Sequence, residues 1–250
     1  MFTQLQSPHF FAHRGASAYA PENTLAAFEL AARQGAPAIE FDVKLTSDRH
    51  VVIHHDQTLD RTTNSSGALA KQPLAALREL DAGSSFSAEF RDEKIPTLEE
   101  VFETVGQKLF LNIELTNYAT PFDGLVDQVV PLIQKHGLEK RVMFSSFFPH
   151  NLLRARQLAP AIPRGQLMLE GASGWWQRLA AGLMDLQAEH PWKADVTASS
   201  VQNAHRKGRR VYVWTVNDPL EMHSLRSLGV DAIFTDDPLR AREHFLENIA

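Results

Sequence analysis

The sequence predicts a closed (β/α)8 barrel, and three observations carry that expectation. Short β-rich runs alternate with helical patterns along the chain, which argues for βαβ units around a parallel sheet. The alternation makes about eight strand–helix steps, which favours a closed barrel over an open, doubly wound sheet. The length, 250 residues, is the usual size of one such barrel, and no second domain, internal repeat or low-complexity tract interrupts it.

The elements follow in order. Strands are expected at residues 9–13, 38–45, 51–55, 109–116, 142–147, 164–169, 210–216 and 232–235. Helices are expected at residues 24–34, 98–105, 122–136, 149–158, 175–188, 199–207, 219–228 and 239–248. Asn23 and Thr24 are N-cap types placed directly before Leu25, Phe28 and Ala31-Ala32, which share one helical face. Gly35 ends that first helix, as Gly137, Gly208 and Gly229 end later ones. Each of these glycines is followed within a few residues by the next apolar strand. The pattern blurs around residues 163–169.

Residues 57–96 break the rhythm. The segment is rich in Thr, Ser, Asn and Gly and holds one short helical pattern near residues 74–80. A long excursion within a compact domain is more often functional or flexible than filler. It leaves directly after His54-His55-Asp56, so it is expected to sit over whatever those residues do.

Composition narrows the function classes. With 44% hydrophobic and 22% charged residues the chain is ordinary globular protein, not a disordered or fibrous one. A formal net charge of -5 gives no global basic field, so nucleic acid is not an expected partner. Cysteine is absent, which excludes disulfides, thiolate metal sites and a cysteine nucleophile. No run approaches the ~18 apolar residues of a spanning helix, so no membrane insertion is expected. The N-terminus lacks the basic and long apolar regions of a secretory signal, and a cytoplasmic protein is expected.

Strand parity then sorts the candidate site residues, because alternate side chains face opposite sides. In residues 38–45, Ile39, Phe41 and Val43 share one face and Glu40, Asp42 and Lys44 the other. In residues 109–116, the odd-numbered leucines and Ile113 share a face, opposite Asn112, Glu114 and Thr116. If the apolar faces pack on outer helices, the acids point into the barrel near the strands' C-terminal ends, where barrel enzymes place their sites. Three carboxylates converging there are costly without a counter-charge. An all-oxygen set favours Mg²⁺, Ca²⁺ or Mn²⁺ over zinc. On parity alone, solvated or arginine-paired acids remain the alternative.

Among eleven histidines, His13 and His55 stand apart by position. His13 ends the first strand before Arg14-Gly15, and His55 ends the run that follows the Glu40/Asp42 strand. Two histidines beside a metal site can act as general acid and base near neutral pH. Arg14 adds a guanidinium fork that matches a phosphate. Together these residues outline metal-assisted phosphoryl chemistry.

The stretches His13-Arg14-Gly15-Ala16, Pro21-Glu22-Asn23-Thr24, Glu40-Phe41-Asp42-Val43 and His54-His55-Asp56 resemble the glycerophosphodiester phosphodiesterase family. So do Asn112-Ile113-Glu114-Leu115, Ser145-Ser146-Phe147, Val213-Trp214-Thr215-Val216-Asn217 and Thr235-Asp236-Asp237-Pro238. The motifs occur in the family's order across nearly the whole chain, and it is the ordered set that is specific. The resemblance implies a TIM barrel with a small inserted cap, here residues 57–96, in a single domain spanning residues 1–250. It implies metal-dependent hydrolysis of glycerophosphodiesters to sn-glycerol 3-phosphate and an alcohol. By motif, Glu40, Asp42 and Glu114 would bind one divalent cation, His13 and His55 would be the acid/base pair, and Arg14 would bind phosphate. Trp214, inward by parity, would line the pocket of a small-molecule substrate. In similar enzymes the glycerol 2-hydroxyl attacks phosphorus, and water then opens a cyclic phosphate.

Two departures bear on substrate preference. Similar enzymes often carry Lys two residues after the third carboxylate, where Thr116 stands here. Lys44 shares the inward face of the neighbouring strand and is the candidate to compensate, although an outward, solvated Lys44 is the expected reading. An aromatic common in the family's cap is replaced at Ser85, while Phe86 remains. Two other readings stay open. A relative tuned to lysophospholipids would need an apolar rim, and no distinct amphipathic membrane-binding stretch is visible. A non-catalytic binding protein on the same barrel would be expected to have lost a metal carboxylate or a histidine, and none is missing.

Overall fold

The computed structural model describes residues 5–247. From the N-terminus run β1 (His9–His13), α1 (Leu25–Arg33), β2 (Ala38–Leu45), β3 (Val51–Ile53), α2 (Leu74–Arg78), α3 (Leu98–Val105) and β4 (Phe110–Leu115). Then come α4 (Leu125–Lys135), β5 (Val142–Ser146), α5 (Pro149–Leu158), β6 (Arg164–Leu167), α6 (Trp175–Leu183) and β7 (Ala188–His190). The chain continues through α7 (Ala198–Arg206), β8 (Arg210–Val213), α8 (Pro219–Ser227), β9 (Ala232–Thr235) and α9 (Pro238–Ala241). All strands but β3 pair in parallel, and β1 pairs with both β2 and β9, which closes the sheet into a TIM barrel.

The expected count of eight barrel strands is right, but one member is wrong. Residues 51–55 do not form a barrel strand. Val51–Ile53 pairs antiparallel with β2 outside the parallel ring. The connection over residues 46–50 is a hairpin turn, tightened where His50 N donates to Thr46 Oγ1 at 2.8 Å. A parallel return needs a crossover of roughly a dozen residues or more. The missing eighth strand is β7, which the expected helix over residues 175–188 overran. Its three residues, Ala188-Glu189-His190, are too short and too polar to announce a strand by alternation. The expected helix over residues 239–248 is a short α9 continuing into a π-helical turn at Arg242–Glu247, and residue 248 lies outside the described residues.

Parity sets two layers of core. Ile39, Phe41, Val43, Leu111, Ile113 and Leu115 face outward and are buried against the helices. Phe11, Ala38, Phe110, Met143, Tyr212 and Phe234 face inward and fill the barrel. The inner filling is largely aromatic: Phe11 stacks on Phe234 at 4.8 Å, and His190 meets both Tyr212 and Phe234. Gly165 is required here, because a Cβ at that position would lie 2.2 Å from the His190 ring. With the floor filled, the barrel's open space among the described residues is at its C-terminal mouth.

His190 is fully buried, and neither ring nitrogen has a hydrogen-bond partner. Burial drives its pKa down to about 3 from 6.5. The unfolded chain therefore binds a proton that the folded chain refuses, and stability should fall as pH drops from about 6.5 towards 3. The slope is at most about 1.4 kcal/mol per pH unit from this one group. His190→Leu should flatten the decline of Tm with acidification, measured by thermal unfolding between pH 7 and pH 4. An unchanged slope would contradict the assignment.

Residues 57–96 form a compact excursion over β3. Leu59, Leu69, Leu77, Ala82 and Ile95 pack with Val52 into a small core of their own. Arg78 forks onto Glu100 of α3, with N···O distances of 2.7 and 2.9 Å, and so fastens the excursion to the barrel wall. Phe86 is exposed and leans on Phe90, so it is not part of that core.

Candidate active site

The site is assembled by strand register. His13, Glu40 and Asn112 lie side by side on β1, β2 and β4, and Asp42 and Glu114 are paired one pleat further towards the mouth. The inward parity read from sequence holds for all of them. Ligand oxygens of Glu40, Asp42 and Glu114 lie within 4.8 Å of one another. Asp42 is steadied by Asn23 Nδ2, which donates at 2.9 Å, and Glu114 accepts from the Tyr118 hydroxyl at 2.8 Å.

The turn after β1 brings a cation to this cluster. Arg14 and Asn23 both adopt left-handed backbone, at φ 56 and 59, and Gly15 follows at φ 86. A Cβ on Gly15 would lie 2.7 Å from the Ala27 backbone, so only glycine lets this turn lie against α1. The backbone N–H of Arg14 donates to Glu40 Oε2 at 3.1 Å. Its guanidinium donates to Glu22 at 2.9 Å and approaches Asp42 at 3.5 Å. Non-glycine residues at positive φ concentrate at functional sites, because the conformation must be paid for by its surroundings.

The electrostatics are those of crowded acids. Burial, reinforced by Asp42 and then Glu114, pushes the Glu40 carboxyl well above its ordinary range. Burial and the Asp42 charge push Glu114 up to about 8. Burial opposes ionisation of Asp42 too, but Arg14, His55 and the Asn23 amide outweigh it and hold that carboxyl below its ordinary value. Glu40 Oε1 is buried with no hydrogen-bond partner.

The two histidines flank this cluster. His13 Nδ1 lies 2.7 Å from Asp236 Oδ1, and its Nε2 is 3.9 Å from Glu40. His55 Nδ1 lies 2.6 Å from Asp56 Oδ1. Both therefore hold a carboxylate at Nδ1 and turn Nε2 to a cleft of about 110 Å³ that both line together with Arg14, Glu40, Glu114 and Trp214. Trp214 is fixed by its indole N–H, which donates to His190 O at 2.9 Å. His54 points elsewhere: it is buried, with Nε2 3.0 Å from Thr58 O.

Lys44 is the correction. It is not outward and solvated but buried, and its ammonium donates to Thr116 O at 2.6 Å. Thr116 is buried as well, and its hydroxyl donates to Val43 O at 2.9 Å. The pair lines a small neighbouring cavity with Asn117 and Asp123 rather than the main cleft.

Sequence reasoning missed the residues that hold the histidines and Arg14 in place. Asp236 and Asp56 stood inside the quoted motifs without a role, and Tyr118 and Arg61 stood outside them. Arg61 bridges two of the partners: it donates to both oxygens of Glu22 at 2.7 Å and to Asp56 Oδ2 at 2.7 Å. Its hydrogen bond is the largest influence holding Asp56 well below the usual carboxylate range. Arg61→Ala should lower kcat about 10-fold with less effect on KM, because Asp56 then holds His55 less firmly; outer partners of site residues commonly matter on this scale. Arg61→Lys should recover only part, since one ammonium cannot fork to two carboxylates. Steady-state kinetics on the pair checks this.

A filled (β/α)8 barrel thus carries a carboxylate cluster, an arginine and two carboxylate-held histidines at its C-terminal mouth, a set suited to an enzyme acting on phosphoric esters. The sequence matches the glycerophosphoryl diester phosphodiesterase family over residues 13–240, and the chain belongs to that family. It is 39% identical over 228 residues to the glycerophosphodiester phosphodiesterase of Caldanaerobacter subterraneus subsp. tengcongensis, covering 91% of this chain and 93% of that one. It is 37% identical to the enzyme of the same name from Bacillus altitudinis, covering 92% and 95%. Among solved structures it resembles an Oleispira antarctica phosphodiesterase in complex with its product sn-glycerol-3-phosphate, with a TM-score of 0.88 and 36% identity over 95% of this chain and 96% of that one. The chain is a phosphoric diester hydrolase of glycerophosphodiesters. Among the described residues no helix is long and apolar enough to cross a membrane.

Proposed function

We propose that hydrolysis to sn-glycerol 3-phosphate and an alcohol uses one divalent cation held by Glu40, Asp42 and Glu114, with His13 and His55 as the acid/base pair. The observation that carries this reading is the convergence of three buried-site carboxylates within 4.8 Å beside two histidines in one cleft. The donor set fits such an ion: the buried, partnerless Glu40 Oε1 and the upward-shifted Glu40 and Glu114 are a cluster short of positive charge. All-oxygen donors suit Mg²⁺, Ca²⁺ or Mn²⁺. When bound, a divalent cation polarises a phosphoryl oxygen and offsets the charge that develops in reaction.

The chain's own residues do the rest. Arg14, held from behind by Glu22 and Asp42, turns its remaining N–H groups to a phosphate oxygen. One histidine takes the proton of the attacking glycerol hydroxyl, and the other gives a proton to the departing alcohol oxygen. The glycerol oxygen has then closed a cyclic phosphate; the oxygen of a water joins phosphorus as that ring P–O bond breaks, and the histidines exchange roles, one taking the water's proton and the other returning a proton to the glycerol oxygen. Asp236 and Asp56 fix the tautomer of each ring through Nδ1. We read residues 57–96 as a cap on a one-domain barrel, because Arg61 reaches from it into the site. A chain without cysteine suits a reducing cytoplasm, where we place the enzyme.

Phosphorus NMR of a digest of glycerophosphoglycerol or glycerophosphocholine should end on sn-glycerol 3-phosphate as the sole phosphorus product. Phosphocholine as the product would mean cleavage on the other side of phosphorus and would overturn the reading.

One observation favours a second substrate class. Trp214 and Phe147, which line the cleft, begin a chain of ring contacts: Trp214 to Phe147 at 5.4 Å, Phe147 to Tyr118 at 5.9 Å, Tyr118 to Phe148 at 4.9 Å and Phe148 to Trp176 at 6.5 Å. That apolar wall could take an acyl chain on the glycerol arm, as in a lysophospholipid. Turnover of lysophosphatidylcholine beside glycerophosphocholine separates the two.

A further inference from the structure

Helix α6 shows its apolar side to solvent. A helix on a barrel wall normally buries an apolar stripe and leaves a polar one outside. On α6 the side chains buried against the barrel are Gln177 and Ala181. Trp175, Leu179 and Leu183 recur every fourth residue, which puts them on one stripe, and they are 64%, 59% and 84% exposed. The stripe is about 12 Å long at 1.5 Å per residue. The helix has one charged side chain, Arg178, which lies 3.7 Å from Asp195, and no acid of its own.

Neighbouring units extend this surface. α5 packs between α4 and α6 and adds the exposed Leu153, and Phe122, just before α4, is 88% exposed. The ring contacts that begin in the cleft reach both sides of it. Phe148 meets Trp176, next to Trp175 in sequence, at 6.5 Å, and it meets His150 at 5.3 Å. His150 in turn meets Phe122 at 5.2 Å. Phe122 lies in the connection after β4 and Trp175 opens α6 after β6, so both stand on the side of the barrel where the cleft opens.

An exposed apolar surface of this kind, linked ring by ring to a substrate cleft, is a docking surface. Whatever covers it also meets the wall of the cleft. A second copy of the chain seated there would close over that wall, whereas a lipid surface would continue it, acyl chains against rings. The charge pattern agrees. Trp, Phe and Leu surround one arginine, whose apolar stem can lie among acyl chains while its guanidinium stays level with the phosphates, and α6 brings no acid to be desolvated. We propose that this flank of the barrel rests on a phospholipid surface, with Trp175, Leu179 and Leu183 below the headgroups. α6 has nine residues, so it lies along the surface rather than spanning it. The argument from the cleft rests on the reading given above, but the contact needs no turnover, so the two fail separately.

The test is co-sedimentation of the full chain with vesicles of phosphatidylcholine alone, at low and at high salt. The parent should partition onto the vesicles equally at both, with a blue shift of tryptophan emission. Leu179→Ser and Leu183→Ser together should lower the partition at least about 10-fold, as expected when two leucine side chains are withdrawn from an apolar phase. Glycerophosphocholine turnover and Tm should stay at the parent's values. Trp175→Ser, a second and independent variant, should lower the partition and remove most of the blue shift. No partition by the parent overturns the proposal. So does a partition lost at high salt, which would be attraction between charges, or one that neither variant moves. A parent that dimerises in sedimentation velocity, with a double variant that stays monomeric, would give the stripe to a second copy and overturn it as well.

Discussion

His55→Ala should lower kcat for glycerophosphodiesters by at least ~100-fold, the usual scale for loss of a general acid or base. His13→Ala should do the same. The geometry gives each ring one free nitrogen: Nδ1 is held by Asp56 in one case and Asp236 in the other, and Nε2 is left to the cleft. The two losses should not multiply in the double variant, because an acid without its partner base completes neither step. His54→Ala is the internal control. That ring is buried against the excursion, bonded to Thr58 O, and its loss should lower Tm while leaving most of kcat. If His54→Ala were instead the more damaging change, the assignment of His55 would be wrong. Steady-state kinetics on the three single variants and the double variant settle it.

The second large effect belongs to the carboxylates. Glu40→Gln should reduce turnover by ~100-fold or more, because polarisation by a bound cation is worth several kcal/mol in phosphoryl transfer. The same change should raise the Tm of the metal-free protein. Burial, reinforced by Asp42 and then Glu114, pushes the Glu40 carboxyl well above its ordinary range, and an amide in its place removes the cost of ionising a group there. The gain in Tm on adding Mg²⁺, Ca²⁺ or Mn²⁺ should shrink in parallel. A stabilised but inactive variant that has lost its cation response is hard to explain as misfolding. A variant less stable than the parent in chelator would mean that Glu40 is a structural acid, held by the Arg14 N–H.

The sequence made the barrel legible where alternation is long. Eight residues of β2 and six of β4 alternate cleanly, so parity alone turned Glu40, Asp42 and Glu114 inward. It failed where an element has three residues. Val51–Ile53 and Ala188–His190 carry no measurable period, and only pairing decides that one is a hairpin arm and the other a barrel strand. Lys44 illustrates another limit. An inward lysine near the mouth can be solvated or buried, and the answer depends on whether Thr116 O is there to receive it. The network around the histidines was hidden for a similar reason. Asp236 meets His13 across 223 positions, and Arg61 meets Glu22 across 39, so no local pattern announces either contact.

We propose that a divalent cation at the three carboxylates, working with the two histidines, drives release of sn-glycerol 3-phosphate. The most direct measurement is initial rate on glycerophosphocholine with protein stripped by chelator, shown by elemental analysis to be metal-free, and then titrated with Mg²⁺, Ca²⁺ or Mn²⁺. The stripped protein should show no turnover, and activity should return saturably at one cation per chain, with no return in Glu40→Gln. Full turnover by the metal-free protein would contradict it.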